Sequence, residues 1–208
     1  MNDSDQTSYP EPQPTEVSLE TDGEEDIALM LKVKEGDIKA FEELINRFQA
    51  PLIGTAAKML GDPTEAQDIV QQVFVRVWRS APRYEVTAKF STWLFTILRN
   101  LIFNEMRRKK RRSESSLEER DEEFHHGTID PGASAPDQSV LHEELESAVD
   151  KAIQRLPGKQ RLAVILRRYE DMAYEDIAKV LKLSIPAVKS VLFRARVQLK
   201  ELLKSYLD

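Results

Sequence analysis

Cysteine is absent from all 208 residues. That excludes disulfides, thiol switches and thiolate metal sites, and it points to a cytoplasmic setting. Histidine is nearly absent too, with three residues. His125 and His126 are adjacent in an acidic stretch and His142 stands alone. No metal-ligand spacing forms, so neither a metal nor a cofactor is expected. No apolar run approaches the roughly 20 residues of a membrane span, and the first residues lack the basic-then-apolar layout of a secretory signal. No membrane insertion is expected. Nucleophile–base patterns and phosphate-cradling loops are missing as well, so the chain does not read as an enzyme. Strand-like alternation is also lacking, and what remains is helical.

The net charge of −6 is the wrong sign for a nucleic-acid binder, but it is unevenly distributed. Residues 1–25 carry eight acids and no Lys or Arg (−8), and residues 113–139 carry eight acids and one base (−7). Residues 26–112 hold 16 bases and 10 acids (+6), and residues 140–208 hold 13 bases and 10 acids (+3). Two basic modules are thus masked by two acidic segments. Local charge, rather than the whole-chain pI, sets a DNA-binding surface.

Pro10, Pro12 and Pro14 lie among acids in residues 1–25, which have little to bury and are expected to be a disordered tail. Residues 113–139, with Pro131, Gly132 and Pro136, read as a flexible linker. Its random-coil span of about 25–35 Å would let the flanking domains sit apart. The expected fold is all-α: two small helical domains, 26–112 and 140–208, the second containing a helix-turn-helix.

In the first domain Ile27, Met30 and Leu31 open an apolar stripe that Phe41, Leu44, Ile45 and Phe48 continue after Gly36-Asp37. Asp62-Pro63-Thr64-Glu65 starts a helix, with Asp62 capping, Pro63 in the first turn and Glu65 at capping-box spacing. That helix runs through Ile69, Val70, Val73, Phe74 and Val77 to about Trp78, and Ala81-Pro82 breaks it. A further helix spans roughly Phe90 to Arg108, with Trp93, Leu94, Ile97, Leu101 and Ile102 facing inward. In the second domain Leu141, Leu145, Val149 and Ile153 share a face that Leu156-Pro157 ends. Helices then follow over 160–169, 174–181 and 185–206.

The stretch 174–196 has helix-turn-helix spacing. Ile177, Ala178 and Leu181 pack, Leu183 fills the turn, and Ser184 caps a second helix with Pro186 in its first turn. Val188, Leu192, Ala195 and Leu199 point inward, leaving Lys189, Ser190, Phe193, Arg194 and Arg196 outward. Such a face reaches base edges and phosphates in a major groove. Lys182 occupies the turn position where glycine is common, and a left-handed backbone there costs a non-glycine residue about 1 kcal/mol.

Two further stretches carry a resemblance: residues 66–78 (AQDIVQQVFVRVW) and 90–104 (FSTWLFTILRNLIFN), followed by the basic run Arg107 to Arg112. Together they resemble region 2 of the extracytoplasmic-function (ECF) sigma factors of the sigma-70 family. Leu156-Pro157 with Gln160-Arg161, and Val188-Lys189-Ser190 with Phe193 to Arg196, resemble region 4. The resemblance covers roughly residues 26–112 and 140–208, and the pair in this order is far more specific than either part.

It implies a factor that binds core RNA polymerase and directs promoter recognition, strand opening and transcription initiation. Asp68, Gln71, Gln72 and Arg76 would dock on the beta-prime clamp helices, and region 4 on the beta flap. Arg83, Tyr84, Lys89, Phe90, Ser91 and Thr92 would melt and hold the minus-ten strand, cations on phosphates and aromatics receiving an unstacked base. Asn100 and Asn104, one turn apart, would present amides to it, and Arg107 and Arg108 would contact phosphates. Lys189, Ser190, Phe193, Arg194 and Arg196 would read the minus-thirty-five element. The resemblance also implies an anti-sigma partner, membrane-bound in some cases, holding a bacterial cytoplasmic protein inactive. Two departures stand out: Gln71-Gln72 replaces the frequent Gln-Glu, and Val191 replaces the Arg frequent after Lys-Ser.

Rival classes leave more unexplained. A stand-alone helix-turn-helix regulator would read duplex DNA as a dimer, which gives the first basic module no task. An interaction scaffold would leave both Arg/Lys clusters idle.

Overall fold

The computed structural model describes residues 19–117 and 138–206. Among them all regular structure is helical, as expected. The first half holds α1 (Leu19–Lys34), α2 (Ile38–Leu60), α3 (Pro63–Ser80) and α4 (Phe90–Leu117), with a 3₁₀ turn at Ala81–Arg83. The second holds α5 (Gln138–Gln154), α6 (Gly158–Arg168), α7 (Tyr174–Leu181) and α8 (Ile185–Leu202), closed by a 3₁₀ turn at Lys204–Tyr206.

Helix boundaries follow local chemistry. Asp37 caps α2 by accepting from the Lys39 and Ala40 N–H groups at 2.8 and 3.1 Å. Gly61 ends it at φ 75°, its N–H donating to Ala57 O. Asp62 caps α3 through the Thr64 and Glu65 N–H groups at 2.9 and 3.1 Å. Glu65 does not close a capping box; its carboxylate pairs with Lys109 of α4 and ties two helices together.

Several boundaries differ from the sequence reading, among them the end of α8, which stops at Leu202 rather than at 206. α1 begins at Leu19, so residues 19–25 are helical rather than tail. Glu25 and the nearly buried Asp26 pair with Arg47 of α2 at 3.2 and 3.3 Å, which anchors the acidic turn. α4 continues nine residues past Arg108 to Leu117, and α5 starts at Gln138, shortening the expected linker at both ends. Residues 1–18 and 118–137, with His125 and His126, lie outside the described residues.

The first core joins Met30 and Val33 of α1, Leu44, Leu52, Ala56 and Met59 of α2, Val70, Val73 and Val77 of α3, and Phe90, Leu94, Leu98 and Ile102 of α4. Leu31, expected inward, is 41% exposed because Asp26, Met30 and Val33 define the buried stripe. On α4 the buried face also takes in Phe95 and Leu98, while Trp93 and Ile97 pack at its edge. The second core gathers Leu162, Ile165 and Leu166 of α6, Ile177, Val180 and Leu181 of α7, and Val188, Leu192 and Ala195 of α8.

The halves do not stand apart. α7 lies against α4, and α5 and α6 lie against α2, so the two cores form one apolar cluster. Arg161 of α6 donates to Met59 O at 2.6 Å and also to Gln154 O and Leu156 O. Lys58 reaches Asp150 at 2.7 Å and lies over the Tyr169 ring. The Thr55 hydroxyl donates to Glu170 at 2.8 Å. Gly158 runs close to Phe103, whose ring would sit 3.1 Å from an added Cβ.

Candidate nucleic-acid interface

The turn between α7 and α8 aims one face of α8 outward. Lys182 adopts φ 54°, ψ 53°, the left-handed geometry foreseen for it, and its N–H reaches Ala178 O and Lys179 O. Ser184 caps α8 by accepting from the Ala187 N–H at 3.3 Å, with Pro186 in the first turn. Val188, Leu192 and Ala195 are buried and Leu199 packs behind them. Lys189, Ser190, Phe193, Arg194 and Arg196 are exposed, and Phe193 is 67% exposed with no apolar cover. Ser190 and Arg194 make bonds within the helix, to Pro186 O at 3.0 Å and Ser190 O at 3.3 Å, which steady the face.

α4 carries the second cationic surface. Asn100 and Asn104 are exposed one turn apart, each amide oxygen held by a neighbouring guanidinium: Arg99 at 2.9 Å and Arg107 at 2.6 Å. Their NH₂ groups are thereby fixed as the outward donors. Asn104, Arg107, Lys110 and Arg111 line a notch of about 480 Å³. Arg108 is exposed but bonded to Glu105 at 2.7 Å, an interaction that holds the Glu105 carboxyl below its usual range.

The segment before α4 departs from expectation. Tyr84 and Phe90 are core residues, 3% and 1% exposed, stacked edge-on with each other and with Phe48 and Trp93. Burial raises the Tyr84 hydroxyl pKa, and that hydroxyl has no hydrogen-bond partner. Neither ring offers a face to an unstacked base here. The aromatic types suited a base pocket, but the turn needs them to close the core beneath α4. Arg83 is exposed and Ser91 half-buried. Thr92 is buried under α7, donating to Asp176 at 3.0 Å, and Lys89 pairs with the same carboxylate at 3.6 Å.

Asp68, Gln71, Gln72 and Arg76 all lie on the exposed face of α3. Beside them Ile38, Val75 and Trp78 are 62%, 49% and 40% exposed and rim a groove of about 410 Å³ with Phe41, Phe74 and Arg79. The sequence reading missed this patch. Its signal was present: Val75 falls off the 70–73–74–77 stripe, so an apolar side chain there has no core to join.

Known proteins carry the same arrangement. Residues 44–112 match Sigma-70 region 2, and residues 146–199 match Sigma-70, region 4. The chain is 34% identical over 175 residues to RNA polymerase sigma-H factor of Pseudomonas aeruginosa, covering 83% of this chain and 91% of that one. It is 34% identical over 173 residues to the ECF RNA polymerase sigma-E factor of Haemophilus influenzae, covering 82% and 91%. Among solved structures it resembles the sigma factor RpoE of Bartonella quintana, crystallised with the anti-sigma factor NepR (TM-score 0.63, 28% identity, 80% and 98% covered). It shares its fold with CnrH, crystallised with the cytosolic domain of CnrY (TM-score 0.65, 24% identity, 87% and 98% covered). A region 2 helix set and a region 4 helix-turn-helix, in this order and at this identity, make the chain a member of the ECF sigma factors of the sigma-70 family.

Proposed function

We propose that this sigma factor divides its work among four surfaces. The α3 face of Asp68, Gln71, Gln72 and Arg76, with its apolar neighbours Val75 and Trp78, docks on the polymerase clamp helices. Arg83, Lys89, Ser91 and Thr92 hold the opened minus-ten strand, with Tyr84 and Phe90 as the aromatic floor beneath them. Asn100, Asn104, Arg107 and Arg108 continue that track along α4. Lys189, Ser190, Phe193, Arg194 and Arg196 read the minus-thirty-five element, and region 4 rests on the beta flap. The chemistry of RNA synthesis belongs to the polymerase, and the protein works in the bacterial cytoplasm. An anti-sigma factor restrains it, as the Bartonella relative's complex suggests.

The observation that carries the reading is the outward face of α8, where a capped helix-turn-helix presents three cations, a hydroxyl and an uncovered aromatic ring over about two turns. That mixture suits base-edge and phosphate contact. The test is selection from a random duplex library with and without core polymerase, followed by transcription of the selected DNA. Selection and initiation that require core are expected. Tight sequence-specific binding by the chain alone, with no effect on core, would instead mark a stand-alone regulator.

A further inference from the structure

The contact between α7 and α4 falls on groups that the reading above gives to DNA. Asp176 stands in the first turn of α7, its side chain 11% exposed. One carboxylate oxygen accepts from the Thr92 hydroxyl at 3.0 Å, and the other faces the Lys89 ammonium at 3.6 Å. Lys179 of the same helix is 3.9 Å away. Thr92 is 2% exposed and Asp176 8%, so this is a cross-domain hydrogen bond out of water with a cation at its edge. A DNA phosphate would take the same two donors, a side-chain hydroxyl and a lysine ammonium.

Distance argues in the same direction. Elements named twenty-five base pairs apart are separated by roughly 85 Å on straight B-DNA at 3.4 Å per pair. A compact body of this chain length is only about 40–45 Å across. With α7 against α4, the α8 face and the minus-ten residues cannot occupy both elements together.

We propose that Asp176 is an internal competitor for promoter DNA: region 4 places a carboxylate on Thr92 and Lys89 where a backbone phosphate would bind, and the free chain stays closed through this contact. Promoter engagement requires that the halves separate first. Arg161 and Lys58 strengthen the closed arrangement, but among these cross-domain groups only Asp176 lands on residues assigned to DNA. The proposal rests on that assignment of Thr92 and Lys89.

The absence of cysteine permits a clean test, because Glu42→Cys and Lys200→Cys, one exposed on each half, can carry a dye pair on the full-length protein. Asp176→Asn is expected to lower energy transfer, raising the open-to-closed ratio about three- to tenfold, the effect of losing one charge-assisted contact. It should tighten binding of a fluorescent single strand carrying the selected non-template minus-ten sequence by a similar factor. Thr92→Val, close in shape, should lower energy transfer likewise while leaving α7 untouched. Unchanged transfer in both variants overturns the latch. Separation of the halves without tighter strand binding overturns the competition. Lys89→Ala assembled with core polymerase reads the DNA assignment alone: unimpaired strand opening there removes that assignment, and the proposal with it, whatever the dyes report.

Discussion

At the scale of single residues, α8 divides sharply into groups that hold the fold and groups that face outward. Replacing Lys189 and Arg194 together by Ala touches no buried side chain, so stability should stay within about 0.5 kcal/mol. Promoter use should fall by at least tenfold, at about 1–3 kcal/mol for each base or phosphate contact, while core binding measured by native gel shift is retained. Full initiation by this variant would remove the reading role from α8. On α4, Arg99 and Arg107 fix the amides of Asn100 and Asn104 with their NH₂ groups outward. Changing both Asn residues to Ala should reduce permanganate reactivity of the opened strand more than duplex docking. The same residue scale shows the limit of arguing from type. Tyr84 and Phe90 have the chemistry of a base pocket, but burial at 3% and 1% makes them core.

At the scale of elements, two N-cap side chains written in the sequence are caps in the structure. Asp62 with Pro63 begins α3 and Ser184 with Pro186 begins α8 because short polar side chains satisfy free N–H groups that nothing else reaches. The Lys182 turn adds a measurable strain. Lys182→Gly should raise the unfolding free energy by about 0.5–1 kcal/mol, read as a higher urea midpoint, because relief of the left-handed backbone exceeds the added chain entropy of glycine. A midpoint that falls would show that Lys182 makes a compensating contact. Where elements end was less legible. α4 runs on to Leu117 through a stretch with no apolar period, carried by a run of Arg, Lys, Ser and Glu with adequate helix propensity. α2 continues through Pro51, which sequence rules place at a helix end, because Leu52, Ala56 and Met59 beyond it are wholly buried and outweigh the lost backbone bond.

At the scale of the whole molecule, the interface between the halves contains ionisable groups that burial disfavours. Glu170 is pushed above its ordinary carboxyl pKa chiefly by burial, the Thr55 hydrogen bond opposing and Asp171 reinforcing the shift. Its pKa is higher closed than open, so its contribution favours closure below about pH 4.5 and is lost as pH rises through the shifted value. Glu170→Gln removes the cost of the buried charge and keeps an acceptor for Thr55. At pH 7 it should favour the closed form, on the order of 1 kcal/mol, an advantage that disappears in acid. Urea titration of the energy transfer between dyes at Glu42→Cys and Lys200→Cys, at pH 7 and in acid, reads this, and identical midpoints at pH 7 for both proteins would count against it. A second consequence concerns Arg161, whose guanidinium is half-buried with its pKa lowered by desolvation and which spans both halves through Met59 O. Arg161→Met should loosen the halves in the same measurement, since Met retains the packing of the stem but none of the donors.

Fold class, the order of the two modules, the α8 face and the capped starts of α3 and α8 were determined by the sequence alone. Each depends on near neighbours: apolar period, a capping side chain, a proline in the first turn. The tertiary structure decided what depends on distant residues. Lys89 and Thr92 meet Asp176 across 87 and 84 positions, Lys58 meets Asp150 across 92, and Arg161 meets Met59 across 102. No local pattern encodes such pairs, because a carboxylate on one helix and a hydroxyl on another carry no periodic signal. Only the packing of α7 on α4 gives them a common place, and with it the question of what must move before DNA can bind.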